Sequence, residues 1–267
     1  KPLITCLLPT AEQIYKEFKF HYPNAKILLA NPEPSSKLSP EEQRQAMYSR
    51  IANNDWDCII MSHDELTKIP VPLDIQIDYV EERLEELRDN LYFSSLLSED
   101  GIKKQDLKRL EAKIESEEQK LENLFAKQNK QKTKSSYDFS SLDIDHIFVD
   151  ESHIFKKMPF TTIHHGVAGL DMNPSERAMH LSMIVRSLRK NHNLVDKGLT
   201  ILSGTHISNS MAEIFHLFNL IIPQKLKEMG INTFDRFAKT FFQKESQSEI
   251  SIGGKIKEKE RFRYIVN

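Results

Sequence analysis

Five short runs of branched apolar residues recur along the chain, at 3–8, 26–30, 57–61, 146–150 and 199–203. Each is strand-length, and none alternates with polar residues as a half-solvated strand would, so both faces must be covered. Segments of helical character separate most of them. The stretch 11–20 places Ile14, Tyr15 and Phe18 on one face. The stretch 40–51 opens with Ser39 as N-cap, Pro40 at the first position and Glu42 as capping-box partner. The stretch 174–191 follows an Asn173-Pro174-Ser175 start signal and repeats Met179, Met183, Ile184 and Leu188 at helical spacing. Strands alternating with helices predict an α/β fold with a doubly wound parallel sheet.

Residues 78–132 break this pattern. Leu84, Leu87 and Leu91, then Leu107, Leu110, Ile114, Leu121 and Leu124, stand in dense alternating charge. The pattern predicts an inserted antiparallel helical hairpin turning near 98–101, with Glu117 in one apolar slot of the second arm. The simplest partner for that arm is the first arm; a dimerising coiled coil is the alternative. The stretch 127–136, KQNKQKTKSS, reads as a solvated linker. The expected organisation is therefore 1–77 as the first part of a lobe, 78–135 as hairpin and linker, and 136–267 as the second part with a C-terminal extension.

With 39% hydrophobic and 28% charged residues and a net charge of -2, the chain is neither disordered overall nor a uniformly basic nucleic-acid coat, although a local basic groove is compatible with that sum. Cys6 and Cys58 both sit inside apolar runs, which fits core thiols in a reducing cytoplasm rather than a disulfide framework or zinc module. No run approaches the roughly 20 apolar residues of a membrane span, and the opening KPLITCLLPT has no signal-peptide pattern. A cytoplasmic location without membrane attachment is expected. A strand-like opening without an initiator Met suggests a piece of a longer protein.

Chemistry concentrates at Ile147-Phe148-Val149-Asp150-Glu151, a buried strand ending in two carboxylates. At the carboxyl edge of a parallel sheet, the first acid can hold magnesium through its waters and the second can orient and deprotonate an attacking water. The same pattern also arises where a buried strand simply enters a loop. His164-His165 reads as a surface loop, because adjacent histidines point apart and no further ligand stands at metal spacing. Lys255, Lys257, Lys259, Arg261 and Arg263 would align on one side of an extended strand and could meet phosphates, but the interleaved Glu258 and Glu260 favour simple solvation.

Asp150-Glu151-Ser152-His153 resembles the DEAH-type motif II of superfamily II helicases and translocases, and LSGTHISNS, from 202 to 210, resembles motif III of their Swi/Snf-like branch. PLITCLLPTAEQIYKEF at 2–18 resembles motif Ia with its helix, and DWDCIIMSHDEL at 55–66 resembles the next block in the same order. The ending KERFRYIVN and the hairpin before motif II are similar to members fused to adenine-specific DNA methylases in phages and mobile elements. The resemblance implies a RecA-like first lobe using ATP and magnesium, with Asp150 at the metal, Glu151 at the water, and His153 coupling the nucleotide site to motif III. It implies that Ser203, Gly204, Thr205, His206 and Asn209 relay the γ-phosphate state to a duplex-DNA backbone held by Thr10 and Ser62. Its implied partners are DNA, a second RecA-like lobe and a fused methylase.

Ser152 stands where Ala is commoner in the family and His206 where Pro is usual. None of the eight glycines opens a GxxxxGK[ST] phosphate cradle, so the expected sheet is incomplete, without its P-loop strand, and these residues alone are expected not to hydrolyse ATP. The rival reading is a non-catalytic α/β scaffold presenting the hairpin to a protein or nucleic-acid partner. A nuclease or phosphatase built on Asp150 fits less well, since no second acid cluster ends another strand.

Overall fold

A computed structural model describes residues 1–32, 37–96, 104–130, 137–162, 167, 170, 174–205, 212–250 and 256–265. The chain divides into two compact units. The first comprises Lys1–Gln76, Gln131–Phe155 and Glu176–Gly204, and the second Ile77–Lys130, Lys156–Ser175 and Thr205–Asn267.

In the first unit the five apolar runs form β1 (Pro2–Cys6), β2 (Ile27–Leu29), β3 (Cys58–Ser62), β4 (His146–Val149) and β5 (Leu199–Ile201), all parallel, in the order β2-β3-β1-β4-β5. One register row, Leu28–Ile59–Leu3–Ile147–Leu199, crosses the whole sheet, and every member is buried. This is the α/β architecture that the alternation of runs and helices predicts, and it is consistent with a RecA-like fold. The first strand ends earlier than its apolar run, at Cys6. Pro9 lies in the opening turn of α1 (Leu8–His21), so Leu7 becomes an extended N-cap and Leu8 is exposed.

Helix α2 (Pro40–Ala52) starts as its sequence predicts. The Glu42 amide donates to Ser39 Oγ, and the Ser39 amide donates to the Glu42 carboxylate at 2.8 Å. A one-turn helix, α3 (His63–Leu66), follows β3. The expected hairpin arms are α4 (Leu73–Leu96) and α5 (Lys104–Lys130). Helix α6 (Glu176–His192) buries Ala178, Leu181, Ile184, Val185 and Leu188 at the spacing of one face. Met183 lies one position from that stripe. Gly198 enters β5 at φ 84°, where a Cβ would collide with Leu188, so both backbone conformation and space require glycine. Cys6 and Cys58 are buried free thiols, and burial pushes the Cys58 pKa up to about 11.

In the second unit Glu117 meets Arg83 of the facing arm, Oε1 to Nε 3.1 Å, and Glu118 meets Arg88 at 2.6 Å. The carboxylate in the apolar slot is thus matched by an arginine, and the partner of the second arm is the first. Lys113 stands nearby with its pKa lowered, chiefly by burial and then by Arg83 and Arg109, so Glu117 offsets a concentration of positive charge. The turn expected at 98–101 and the linker at 131–136 lie outside the described residues.

Sequence patterning did not anticipate the elements at the end of this unit: α7 (Ala212–Ile221), α8 (Pro223–Glu228), α9 (Phe234–Phe241), and the antiparallel pair β6 (Phe242–Ile250) and β7 (Ile256–Ile265). Phe160, Phe215, Phe234, Phe237 and Phe242 form their shared core. The recurrence of Phe at 234, 237 and 241 was the available signal. In the backbone register of the ribbon, Arg261 lies opposite Glu245, Lys259 opposite Gln247 and Lys257 opposite Glu249. Lys255 and His164-His165 lie outside the described residues. Among those described, no helix is long and apolar enough to cross a membrane.

Glu117→Leu alone should destabilise the protein by about 3 kcal/mol, because it leaves Arg83 sequestered without its carboxylate. Arg83→Met with Glu117→Leu should recover to within about 1 kcal/mol of the parent. Urea denaturation of the single and double variants checks both.

Candidate active site at the carboxyl edge of the sheet

Strand β4 delivers Asp150 and Glu151 to the edge, and its neighbours fix the backbone there. The Asp150 amide donates to the Thr5 carbonyl of β1 at 2.9 Å. On the other side Leu202, just beyond β5, brackets the acidic pair: its amide donates to the Val149 carbonyl at 2.8 Å and its carbonyl accepts from the Ser152 amide at 2.9 Å. Within this bracket Glu151 adopts φ 48°, the left-handed region. For a residue with a long side chain that conformation costs roughly 1–2 kcal/mol, which the two Leu202 bonds must offset. The Glu151 carboxylate is accessible, and its Oε2 lies 3.0 Å from His153 Nδ1, each side chain being 43% exposed.

Two residues not singled out from the sequence join this edge. Thr5, fully buried, places its Oγ1 2.9 Å from His63 Nδ1 while its carbonyl holds Asp150. His63 stacks edge-on against Phe155. Its pKa falls to about 4, chiefly because burial penalises the cation and despite the opposing influence of the Asp150 backbone and carboxylate. The signal was present: Ser62-His63 ends a buried strand in polar residues, as Asp150-Glu151 does. Arg177 of α6 closes the group from the side, 2.6 Å from Asp64.

The other candidate residues fall as follows. Ser62 is buried, its amide donates to Asn31 Oδ1, and its Oγ caps α3 by accepting the Glu65 amide at 3.3 Å. Thr10, in the first turn of α1, donates its hydroxyl to the Leu7 carbonyl at 2.9 Å. Ser203 and Gly204 follow Leu202 directly, and an added Cβ at Gly204 would meet open space. Thr205 begins the next stretch of the second unit. His206 and Asn209 lie outside the described residues.

Asp150 and Glu151 offer hard carboxylate oxygens, and among the described residues no group of three or more His, Cys, Asp or Glu could hold a metal. Such a donor set fits a hydrated magnesium ion with one protein carboxylate and its other ligands from water and phosphate. It does not fit a zinc site.

A family model described as a probable helicase domain matches residues 1–267. The chain belongs to that family. No curated protein matches it. Membership gives the domain a helicase link.

Because His63 is held neutral when folded, the unfolded chain binds the extra proton below its ordinary pKa of about 6.5. Stability from this group is therefore full above that value and declines as pH falls toward about 4. Between pH 7 and pH 5 His63 alone should account for about 2 kcal/mol of the loss, and His63→Gln should reduce the slope by that share. Denaturant midpoints of both proteins across this range provide the measurement.

Proposed function

We propose that these residues form part of the first RecA-like lobe of an ATP-dependent DNA translocase or helicase of the Swi/Snf-like branch, a hydrolase in its full-length form. The observation that carries this reading is the pair Asp150-Glu151 at the carboxyl edge, bracketed by Leu202 immediately before Ser203-Gly204. Val149 and Ser152, which flank the acidic pair, and Leu202, which precedes the coupling segment, then share two hydrogen bonds, so displacement of one stretch strains the other.

Magnesium-bound ATP would supply the phosphoryl group and the charge that Asp150 recognises through water. Glu151 orients the attacking water and accepts its proton at Oε1, while His153 holds Oε2. Thr5 and His63 hold the backbone and surroundings of Asp150 without contributing charge. Ser203, Gly204, Thr205, His206 and Asn209 form the coupling segment. Thr10, together with the turn that Ser62 caps, meets the backbone of duplex DNA. A phosphate cradle is not among the 267 residues, so the reading requires one elsewhere in the full-length protein, as it requires a second RecA-like lobe. A fused DNA methylase and a cytoplasmic location fit the same reading. The second reading is a non-catalytic scaffold for the hairpin, and DNA-stimulated ATP hydrolysis that is lost on Glu151→Gln would decide against it.

In the full-length protein Glu151→Gln should reduce DNA-stimulated ATP hydrolysis by at least about a hundredfold while leaving nucleotide and DNA binding near parental values, because the amide keeps the shape but loses the proton acceptor. Asp150→Asn should weaken nucleotide affinity together with turnover. Steady-state hydrolysis and fluorescent-nucleotide titration separate the two, and an active Glu151→Gln enzyme would end the motor reading.

A further inference from the structure

The second unit contains a buried ammonium that the acidic edge does not use. Lys156 leaves the short turn Ser152–Phe155, and its side chain is 8% exposed. Its Nζ lies 3.3 Å from Glu213 Oε2, itself 11% exposed, and donates to the Thr205 carbonyl at 2.5 Å. Three pieces of chain thus meet at one cation: the residue following Asp150-Glu151-Ser152-His153-Ile154-Phe155, the end of Ser203-Gly204-Thr205, and the first turn of α7, where a carboxylate is favoured by the helix dipole. His216, one turn further along α7, is buried against Phe160, and burial pushes its pKa down to about 4. It is therefore neutral near pH 7, and the carboxylate of Glu213 faces Lys156.

Stability alone does not account for this pair. Two apolar side chains of similar volume generally stabilise a protein as well as a buried ion pair or better, because neither charge then has to leave water. What an apolar pair cannot do is donate to a carbonyl. Gly204 and Thr205 are both exposed. A charge-assisted hydrogen bond from a cation paired with Glu213 holds such an exposed carbonyl more firmly than a neutral donor would.

We propose that Lys156 is a positioning residue: anchored by Glu213, it sets the conformation of the Thr205 backbone, and so ties the coupling segment to the chain that emerges from the acidic pair. This rests on the reading of Ser203-Gly204-Thr205 as a coupling segment. Lys156 touches neither nucleotide nor DNA in this role; its contribution is to make the response of one segment depend on the other.

The test is the Lys156→Met/Glu213→Leu double variant of the full-length protein, compared with Lys156→Arg. The double variant should melt at or above the parental temperature and bind a fluorescent ATP analogue with parental affinity. Amide exchange in peptides covering Leu202 to Thr205 should accelerate about tenfold or more, and stimulation of hydrolysis by duplex DNA should fall by a similar factor. Lys156→Arg, which keeps the cation and its donors, should retain most of both properties. Parental exchange rates in a folded double variant would overturn the proposal, as would a double variant that fails to fold, since the pair would then be a stability element. If the unaltered protein shows no DNA-stimulated hydrolysis, the motor reading fails, while the exchange measurement still judges the Lys156 restraint.

Discussion

Burial of the row Leu28–Ile59–Leu3–Ile147–Leu199 holds the first unit in register, and the acidic edge inherits its geometry from that row. Each fully buried aliphatic side chain contributes roughly 1.5–3 kcal/mol relative to exposure. A slip of β4 by one residue would turn Ile147 and Val149 to the opposite face and bring Phe148 into the row. That penalty locks β4 between β1 and β5, and only with this lock in place do the Thr5 carbonyl and both backbone groups of Leu202 arrive where the acidic pair can use them. The apolar centre of the sheet therefore sets the position of the polar edge to within a hydrogen bond.

At that edge the residues divide by exposure. Thr5, Ser62 and His63 are buried and mutually bonded or engaged in capping, whereas Glu151 and His153 remain open to solvent. His63, held neutral by burial, adds no positive charge beside Asp150. Glu151 beside it adopts a left-handed conformation. Strain of this kind persists where surrounding bonds over-determine a residue, and the Leu202 bracket supplies such bonds.

The parallel sheet was legible because fully buried strands produce continuous apolar runs, and the Ser39/Glu42 capping box because its two bonds need particular side chains at a fixed spacing. The two long helices α4 and α5 were legible from their leucine spacing. Three kinds of feature were not. The end of β1 depended on Pro9 overriding an apolar run. Thr5 and His63 meet 58 positions apart, and no local pattern encodes a contact that β1·β3 pairing creates. The aromatic core of the second unit gathers Phe160, Phe215, Phe234, Phe237 and Phe242 from separate segments, with α8 and α9 too short to produce a strong periodic signal.

The chain departs toward the hairpin and comes back to a closure where the Phe139 amide donates to the Pro70 carbonyl at 2.8 Å. The ends of the intervening excursion are thus held at hydrogen-bond distance by the first unit itself. Closing a loop costs free energy that grows only logarithmically with its length, about 0.6 kcal/mol for each doubling. Chains of very different length could be strung between Pro70 and Phe139 at nearly the same cost to the sheet. The position before β4 is therefore a place where a lineage can lengthen, shorten or exchange its hairpin while the acidic pair downstream keeps its geometry.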